Sequence, residues 1–380
     1  MVRIASASVQ SLRRKLLAWY RAHGRSHLPW RQKPTPYAVW VSEAMLQQTQ
    51  VATVIPYYRR FLRRYPTVKA LARAPLTQVL DSWSGLGYYS RARNLHAGAR
   101  AVVEEHGGKL PSRVGELRRL PGIGRYTAGA IASIAYDRPA PILDGNVIRV
   151  LSRLFGIRQD PTEVTTRNRL WELAGQLVPS DAPGDFNQAL MDLGATLCTP
   201  RRPRCLACPL SAACVARKKG WQELIPRRRP AAPRKKIHCA CALIEKEGRL
   251  LIARRPLSGL LGGLWEFPGG ECAPGRSRPA DLARLLRERL GITVTPLAPR
   301  GRIRQTLTHR LLEIEAFHCR WSGGAVRPRW YGQTRWVRKK DLGKSGLTAG
   351  MREVATLAMT PGAGGTSGRS RESGRRSAPG

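Results

Sequence analysis

Two carboxylic acids in this 380-residue chain sit where they can do chemistry. Glu43 lies in the apolar, helically spaced stretch Val39 to Gln50, just before a polar cluster of Gln47, Gln48 and Thr49. A glutamate in such a window ordinarily faces solvent. In a partly apolar pocket it would instead hold its proton near neutral pH and serve as an acid. Amides beside it can replace the pairing partners of an unstacked base. Asp144 follows the apolar run Pro141 to Leu143 and precedes a helix whose inner face is Val147, Val150, Leu151 and Leu154. Its ordinary reading is a helix N-cap. That role is compatible with a second one. The helix dipole keeps such a carboxylate ionised, and an ionised carboxylate near a sugar stabilises an oxocarbenium ion.

Two further groups bind rather than react. Cys198, Cys205, Cys208 and Cys214 place four thiols within one short loop, a strong metal signal. Four thiolates suit zinc as well as iron and sulfur, and this spacing matches neither common ferredoxin pattern. The segment Leu120 to Ala128 joins a helix face marked by Val114, Leu117 and Leu120 to another marked by Ala128, Ile131 and Ile134. A turn holding Gly122 and Gly124 there exposes backbone N–H groups that can cradle a phosphate. It is otherwise an ordinary tight turn between helices.

These groups need elements to hold them. Apolar residues recur at helical spacing over Tyr37–Leu62, Ala92–Val103, Tyr126–Ala135 and Val147–Phe155, which predicts a mostly helical domain over residues 1–216. A basic, proline-rich linker, 217–236, follows. An α+β domain is expected over 237–357, with short strands at Cys239–Ile244, Arg249–Ala253, Ile292–Val294, Leu311–Phe317 and Thr334–Val337. A glycine-rich loop, Gly259–Gly270, and a helix, Pro279–Leu290, belong to it. The tail, 358–380, is rich in Gly, Ser and Arg and is expected to be disordered. The chain carries 66 Lys and Arg against 25 Asp and Glu, a formal charge of +41, which points to a polyanionic partner. No run is apolar enough to span a bilayer, and Met1–Tyr20 lacks the apolar core of a secretory signal. The expectation is a monomeric, cytoplasmic, nucleoid-associated protein with no membrane partner.

Taken together these residues resemble the helix-hairpin-helix DNA glycosylase superfamily, and within it the adenine DNA glycosylases of the MutY type. The resemblance rests on Ser42–Gln50, Gly85–Asn94, Leu120–Ala128, Leu143–Val147 and the cysteine spacing, and spans roughly residues 10 to 355. It implies an all-α glycosylase domain with a helix-hairpin-helix at 113–136 and a [4Fe–4S] cluster on the loop 198–214, followed by a Nudix-like, lesion-recognising domain. It implies that Glu43 protonates the departing adenine and then handles the water. Asp144 would stabilise the cationic sugar, with Tyr126 and Asn146 assisting. Arg31, Gln48, Thr49, Leu86, Gly87, Tyr88, Gly122 and Gly124 would contact the opened duplex, which carries adenine opposite 8-oxoguanine or guanine. In the related endonuclease III-type enzymes a lysine occupies the position of Tyr126. A phenol cannot form their Schiff base, so excision without strand cleavage is implied.

The chain departs from the family pattern in its second domain. The helix ending at Gly291 keeps Glu288 but has Leu285 and Arg289 where Nudix hydrolases place metal-holding glutamates. The recognition loop, commonly Thr-Phe-Ser-His, reads Thr306-Leu307-Thr308-His309, which leaves Thr308 and His309 as the candidate readers.

Overall fold

The structure is a computed structural model and describes residues 4–227, 233–307 and 309–359. The chain divides into two compact units, Met1–Ala232 and Pro233–Gly380. The expected disorder of the tail falls on residues outside those described, apart from its first two positions, 358 and 359, which end a helix.

The first unit is helical and has two packed halves. One gathers Leu12 and Leu16 of the helix Ser6–His23, Val147, Val150 and Leu151 of Gly145–Leu154, and apolar residues of Val164–Leu177 and Pro183–Thr196. The other packs around aromatic edges, with Phe61 tilted against Tyr65 and Trp83, and Trp30 against Tyr58. Each apolar stripe follows the helical period, so burying one face holds the helix in place.

The stretch expected as one helical run, Tyr37–Leu62, is two helices, Pro36–Leu46 and Val51–Arg64. The break falls on the polar cluster, where Gln48 takes a positive φ of 55°. The first helix starts from Thr35, whose hydroxyl accepts from Ala38 N at 3.2 Å, with Pro36 in its first turn. The hairpin also differs from expectation. Its first element is a single turn, Val114–Leu117, before the helix Arg125–Tyr136. Gly122 sits at φ +80°, and a Cβ there would meet Asn94 Cβ at 2.7 Å, so glycine is required by the chain itself. Gly124 has extended backbone and nothing within 4 Å of a notional Cβ, which leaves the start of the following helix open to an incoming group.

The second unit is a sheet between two helices. Its strands are β1 (Lys235–Lys246), β2 (Arg249–Arg254), β3 (Trp265–Glu266), β4 (Gly269–Glu271), β5 (Thr293–Thr306), β6 (Arg310–Gly323) and β7 (Gln333–Arg338). β1 runs parallel to β6, which pairs antiparallel with β5, and β2 pairs antiparallel with β7. Alternation along β1 sends Ile237, Cys241 and Leu243 to one face and Ala240, Ala242 and Ile244 to the other. The helix Arg278–Leu290 covers the second face. A helix that the sequence patterning did not suggest, Ala349–Met359, covers the first through Met351, Val354 and Ala355. The strands at 293 and 310 are far longer than the apolar runs predicted, because much of β5 carries exposed, non-alternating residues. The supposed loop Gly259–Gly270 contains β3 and the start of β4. Gly269 is needed where β4 meets β1, since a Cβ would stand 2.0 Å from Ala240 O.

The tightest crossing in the helical unit lies behind Tyr126. A Cβ at Gly129 would meet Pro141 O at 2.2 Å, backbone that has no free end to move. Gly129→Ala gains about 1 kcal/mol of helix propensity, but overpacking costs roughly 1–3 kcal/mol and more when backbone must shift. The expected outcome is a net loss of stability and a lower midpoint in thermal unfolding. A midpoint equal to or above that of the parent protein refutes the close approach.

Candidate active site

Two helices and one helix start bring the expected acids and Tyr126 to a single cavity of about 560 Å³ in the first unit. Glu43, on the last full turn of Pro36–Leu46, is only 5% exposed, so the solvent-facing reading is overturned. Tyr126, in the first turn of Arg125–Tyr136, donates its hydroxyl to Glu43 Oε2 at 2.6 Å. Asp144 is the N-cap of Gly145–Leu154, its Oδ1 accepting from Val147 N at 2.7 Å. Its Oδ2 accepts from Asn146 Nδ2 at 3.0 Å, and both residues line the same cavity as Glu43. The cap and the cavity wall are therefore one residue, as the sequence allowed.

The electrostatics separate the two acids. Burial pushes the Glu43 carboxyl up to about 7, and the Asp144 charge adds to this. The bond from Tyr126 and the nearby Arg31 oppose it. Burial also raises Asp144, but bonds from the backbone of Val147 and the amide of Asn146 favour its ionised form. Burial holds the Tyr126 phenol far above its ordinary range, so it remains a neutral donor. Glu43 is thus the group suited to holding a proton and Asp144 the group suited to holding a charge.

Residues that sequence reasoning missed form a second ring. Arg149 donates to Asn146 Oδ1 at 2.8 Å, to Gly194 O at 2.6 Å and to Cys198 O at 2.7 Å. One turn further, Arg153 donates to Cys198 Sγ at 3.3 Å and Thr199 O at 2.7 Å. One helix thus runs from the Asp144 cap to the cysteine loop. Arg91, buried and lowered by that burial to about 10, donates to Ala44 O, Met45 O and Gln47 O, and also to Thr49 Oγ1 and Gly87 O. It ties the loop 47–49 to the loop 85–88. Arg91 carried a signal, standing on the otherwise apolar face of Leu95, Ala99 and Val102, whereas Arg149 and Arg153 lie off the apolar stripe Val147, Val150, Leu151 and Leu154 and carried none.

Of the other candidates, Arg31, Gln48 and Thr49 line the cavity. Leu86 is buried, Gly87 takes φ +78°, and Tyr88 is 43% exposed at φ 49°. None of the three lines the cavity, and Arg91 bridges Gly87 O and Thr49 Oγ1. Gly122 and Gly124 are exposed on the hairpin, away from the cavity wall. The four cysteines surround a separate cavity of about 30 Å³ with Arg153 and Arg217 at its edge. Burial raises Cys205, Cys208 and Cys214, with Cys208 pushed up to about 11. Among the described residues no three His, Cys, Asp or Glu side chains are grouped as a single-ion site. Thr308 lies outside the described residues. His309, in the second unit, is exposed, and its carbonyl accepts from Lys235 N at 3.1 Å. Leu307 packs against the core beneath β1 and β6.

Comparison with known proteins gives the same division of the chain. Residues 41–176 match the HhH-GPD superfamily base excision DNA repair protein model, and 239–357 match a NUDIX domain. The chain is 39% identical to the adenine DNA glycosylase of Rattus norvegicus, over 92% of its own length and 78% of the relative's. It is 38% identical to that of Homo sapiens, over 92% and 74%. Among solved structures, a thermostable thymine-DNA glycosylase superposes with a TM-score of 0.52 at 30% identity, covering 56% of this chain and 98% of that one.

The raised pKa of Glu43 is directly measurable. Carbon-detected NMR of glutamate-labelled protein should show one carboxyl titrating near pH 7, absent in Glu43→Gln. Tyr126→Phe removes a donor that favours the ionised form, so that midpoint should move to higher pH. A midpoint in the ordinary carboxylate range, about 4.3, contradicts the burial argument.

Proposed function

The chain belongs to the adenine DNA glycosylases, base-excision repair enzymes built on the helix-hairpin-helix fold. On that premise we propose that it removes adenine standing opposite 8-oxoguanine or guanine in duplex DNA, acting as a monomer and without cutting the strand. The observation that carries the reading is one buried cavity lined by a carboxyl poised near neutrality and a capped carboxylate. An adenine flipped from the stack enters the cavity, where Glu43 gives its proton to the base and weakens the glycosidic bond. Asp144, fixed by Val147 N and Asn146, faces the cationic sugar. Tyr126 holds the Glu43 carboxylate once the proton has left, and Glu43 then takes a proton from the attacking water. Gln48 and Thr49, at the mouth, face the opened pair. Among the described residues that line the cavity none is a lysine, so no amine is placed to form a Schiff base.

Cys198, Cys205, Cys208 and Cys214 fit a [4Fe–4S] cluster as a donor set. Four thiols border one cavity also lined by Arg153, Arg204 and Arg217, and the two short turns Cys205–Ala207 and Ser211–Ala213 bury no residue of their own. A bound cluster would supply the cross-links that this loop lacks. Reading of the oxidised guanine falls to the hairpin Thr306–His309, with Thr308 as the hydroxyl donor or acceptor and Leu307 committed to packing. Gly122 and Gly124 face a backbone phosphate. No described helix is long and apolar enough to cross a membrane, and a DNA substrate places the protein in the cytoplasm with the nucleoid.

Duplexes with one adenine opposite 8-oxoguanine, guanine or thymine provide the test. Free adenine should appear from the first fastest, from the second more slowly and from the third not at all, with strand breaks only after alkali. Glu43→Gln should slow single-turnover release by about two to four orders of magnitude, the usual worth of general acid catalysis. Release opposite thymine at an equal rate, or breaks without alkali, would sink the reading. Anaerobically purified protein should contain about four irons and a broad visible band that Cys208→Ser abolishes. Stoichiometric zinc without iron would refute the cluster.

A further inference from the structure

Asp192 lies on the helix Pro183–Thr196, one turn beyond Gln188, and is completely buried. A carboxylate in that position needs partners, and both of its oxygens are filled. Arg31 grips it with two bonds, NH1 to Oδ2 at 2.7 Å and NH2 to Oδ1 at 2.9 Å. Arg25 adds its backbone N at 2.9 Å and Nε at 2.8 Å, with NH2 at 2.6 Å from Oδ1. Burial alone would raise the Asp192 carboxyl, but the bonds from Arg31 and then Arg25 hold it below the usual range. The same bonds keep Arg31 firmly charged against the opposing effect of burial.

Arg25 and Arg31 both line the base cavity, whereas Asp192 does not. The side-chain charges at this wall are two cations with one anion behind them, and Arg31 lowers the pKa of Glu43. Glu43 faces Tyr126 from the helix Arg125–Tyr136, Asp144 and Asn146 from the start of Gly145–Leu154, and Arg31 from the turn Pro29–Gln32. Arg167 and Gln188 complete the polar wall from the two remaining helices, and Arg25 from the loop before the turn. Arg31 and Arg25 are both held by the buried Asp192 countercharge outside the cavity, and Arg31 is the one whose charge bears on Glu43. We propose that Asp192 is a positioning residue that fixes Arg31 at the cavity wall and sets how much positive charge Glu43 faces, and so the pH above which base release stops.

The proposal rests on Glu43 being the acid, and its sign is fixed by charge alone. Asp192→Asn leaves the buried Arg31 guanidinium and the partly exposed Arg25 guanidinium without a countercharge. The Glu43 carboxylate is then favoured, and the proton is lost at lower pH. Arg25→Gln removes one cation while Arg31 keeps both of its bonds, and the proton is lost at higher pH. A bidentate guanidinium–carboxylate pair is also geometrically exact, so Asn, with one acceptor, lets Arg31 move.

Single-turnover adenine release is to be measured from pH 5 to 9 in the holoenzyme. For Asp192→Asn the alkaline limb should move to lower pH by about one unit, giving about tenfold slower release at pH 8 and a near-parental rate at pH 5.5. For Arg25→Gln the limb should move to higher pH. Equal slowing at every pH, with the limb unmoved, would mean that Asp192 is structural only and would overturn the proposal. So would an Arg25→Gln limb that stays put or moves to lower pH, and this second variant decides the matter if Asp192→Asn does not fold. Glu43→Gln separates the two claims. If it abolishes the limb while the Asp192 and Arg25 variants leave it unmoved, only the Asp192 proposal falls. If the limb survives in Glu43→Gln, the reading of Glu43 as the acid falls first and takes the proposal with it.

Discussion

The exclusion of water from one carboxyl group governs this site. Glu43 is useful as an acid only if it still holds a proton at neutral pH, and nothing in its immediate chemistry favours that. Tyr126 donates to it and Arg31 lies nearby, and both stabilise the ionised form. Burial is the term that wins, with the Asp144 charge as a lesser ally. The site is therefore a balance in which packing raises the affinity for a proton and polar partners trim it back. The polar partners are still needed, because a buried carboxylate left unbonded after giving up its proton would be costly.

Packing of that kind demands rigid neighbours, which explains where the close approaches lie. Gly129 lets the helix of Tyr126 sit against Pro141, Gly184 lets the helix of Asp192 sit against Ser133, and Gly194 meets Asn146. Each is a place where a single methyl group would separate the helices that carry the reacting groups. The arginines play the complementary part. Arg91, Arg149 and Arg153 use planar, multi-donor heads to satisfy backbone carbonyls where loops leave the helices. Position at the cavity is therefore determined by backbone contacts several residues away from it.

That division also explains what the amino-acid order revealed. Asp144 and the cysteines stood out because each sits in a local pattern, a cap or a tight spacing, whereas Glu43 and Tyr126 were singled out through the resemblance, the window around Glu43 by itself reading as solvent-facing. The break at Gln47–Gln50 was half legible. Its polar cluster stood out, but the positive φ at Gln48 is imposed by Arg91, a residue more than forty positions away. Asp192 and Arg149 were invisible for the same reason. An acid on a helix declares nothing until its partners, distant in sequence, fold against it. In the second unit the strand ends were misjudged where exposed residues hide the alternation, and the helix Ala349–Met359 was missed because its apolar stripe is short.

In the second unit, whose sequence matches a NUDIX domain, arginines hold carboxylates and a glycine turn in place. Arg289, standing where Nudix hydrolases place a metal-holding glutamate, donates to Gly269 O at 2.7 Å and lies 4.1 Å from the Trp330 ring centroid. Glu288 is engaged by Arg284, four residues before it on the same helix. Arg255 grips Glu266 through both oxygens, and Tyr331 bonds the same glutamate. Guanidinium groups thus bind the carboxylates and the glycine turn that a divalent cation would otherwise draw together. A fixed internal cation gives a permanently closed turn, whereas an exchangeable metal gives one that depends on loading. Leu307 is likewise held, its aliphatic side chain packed against the core of this unit.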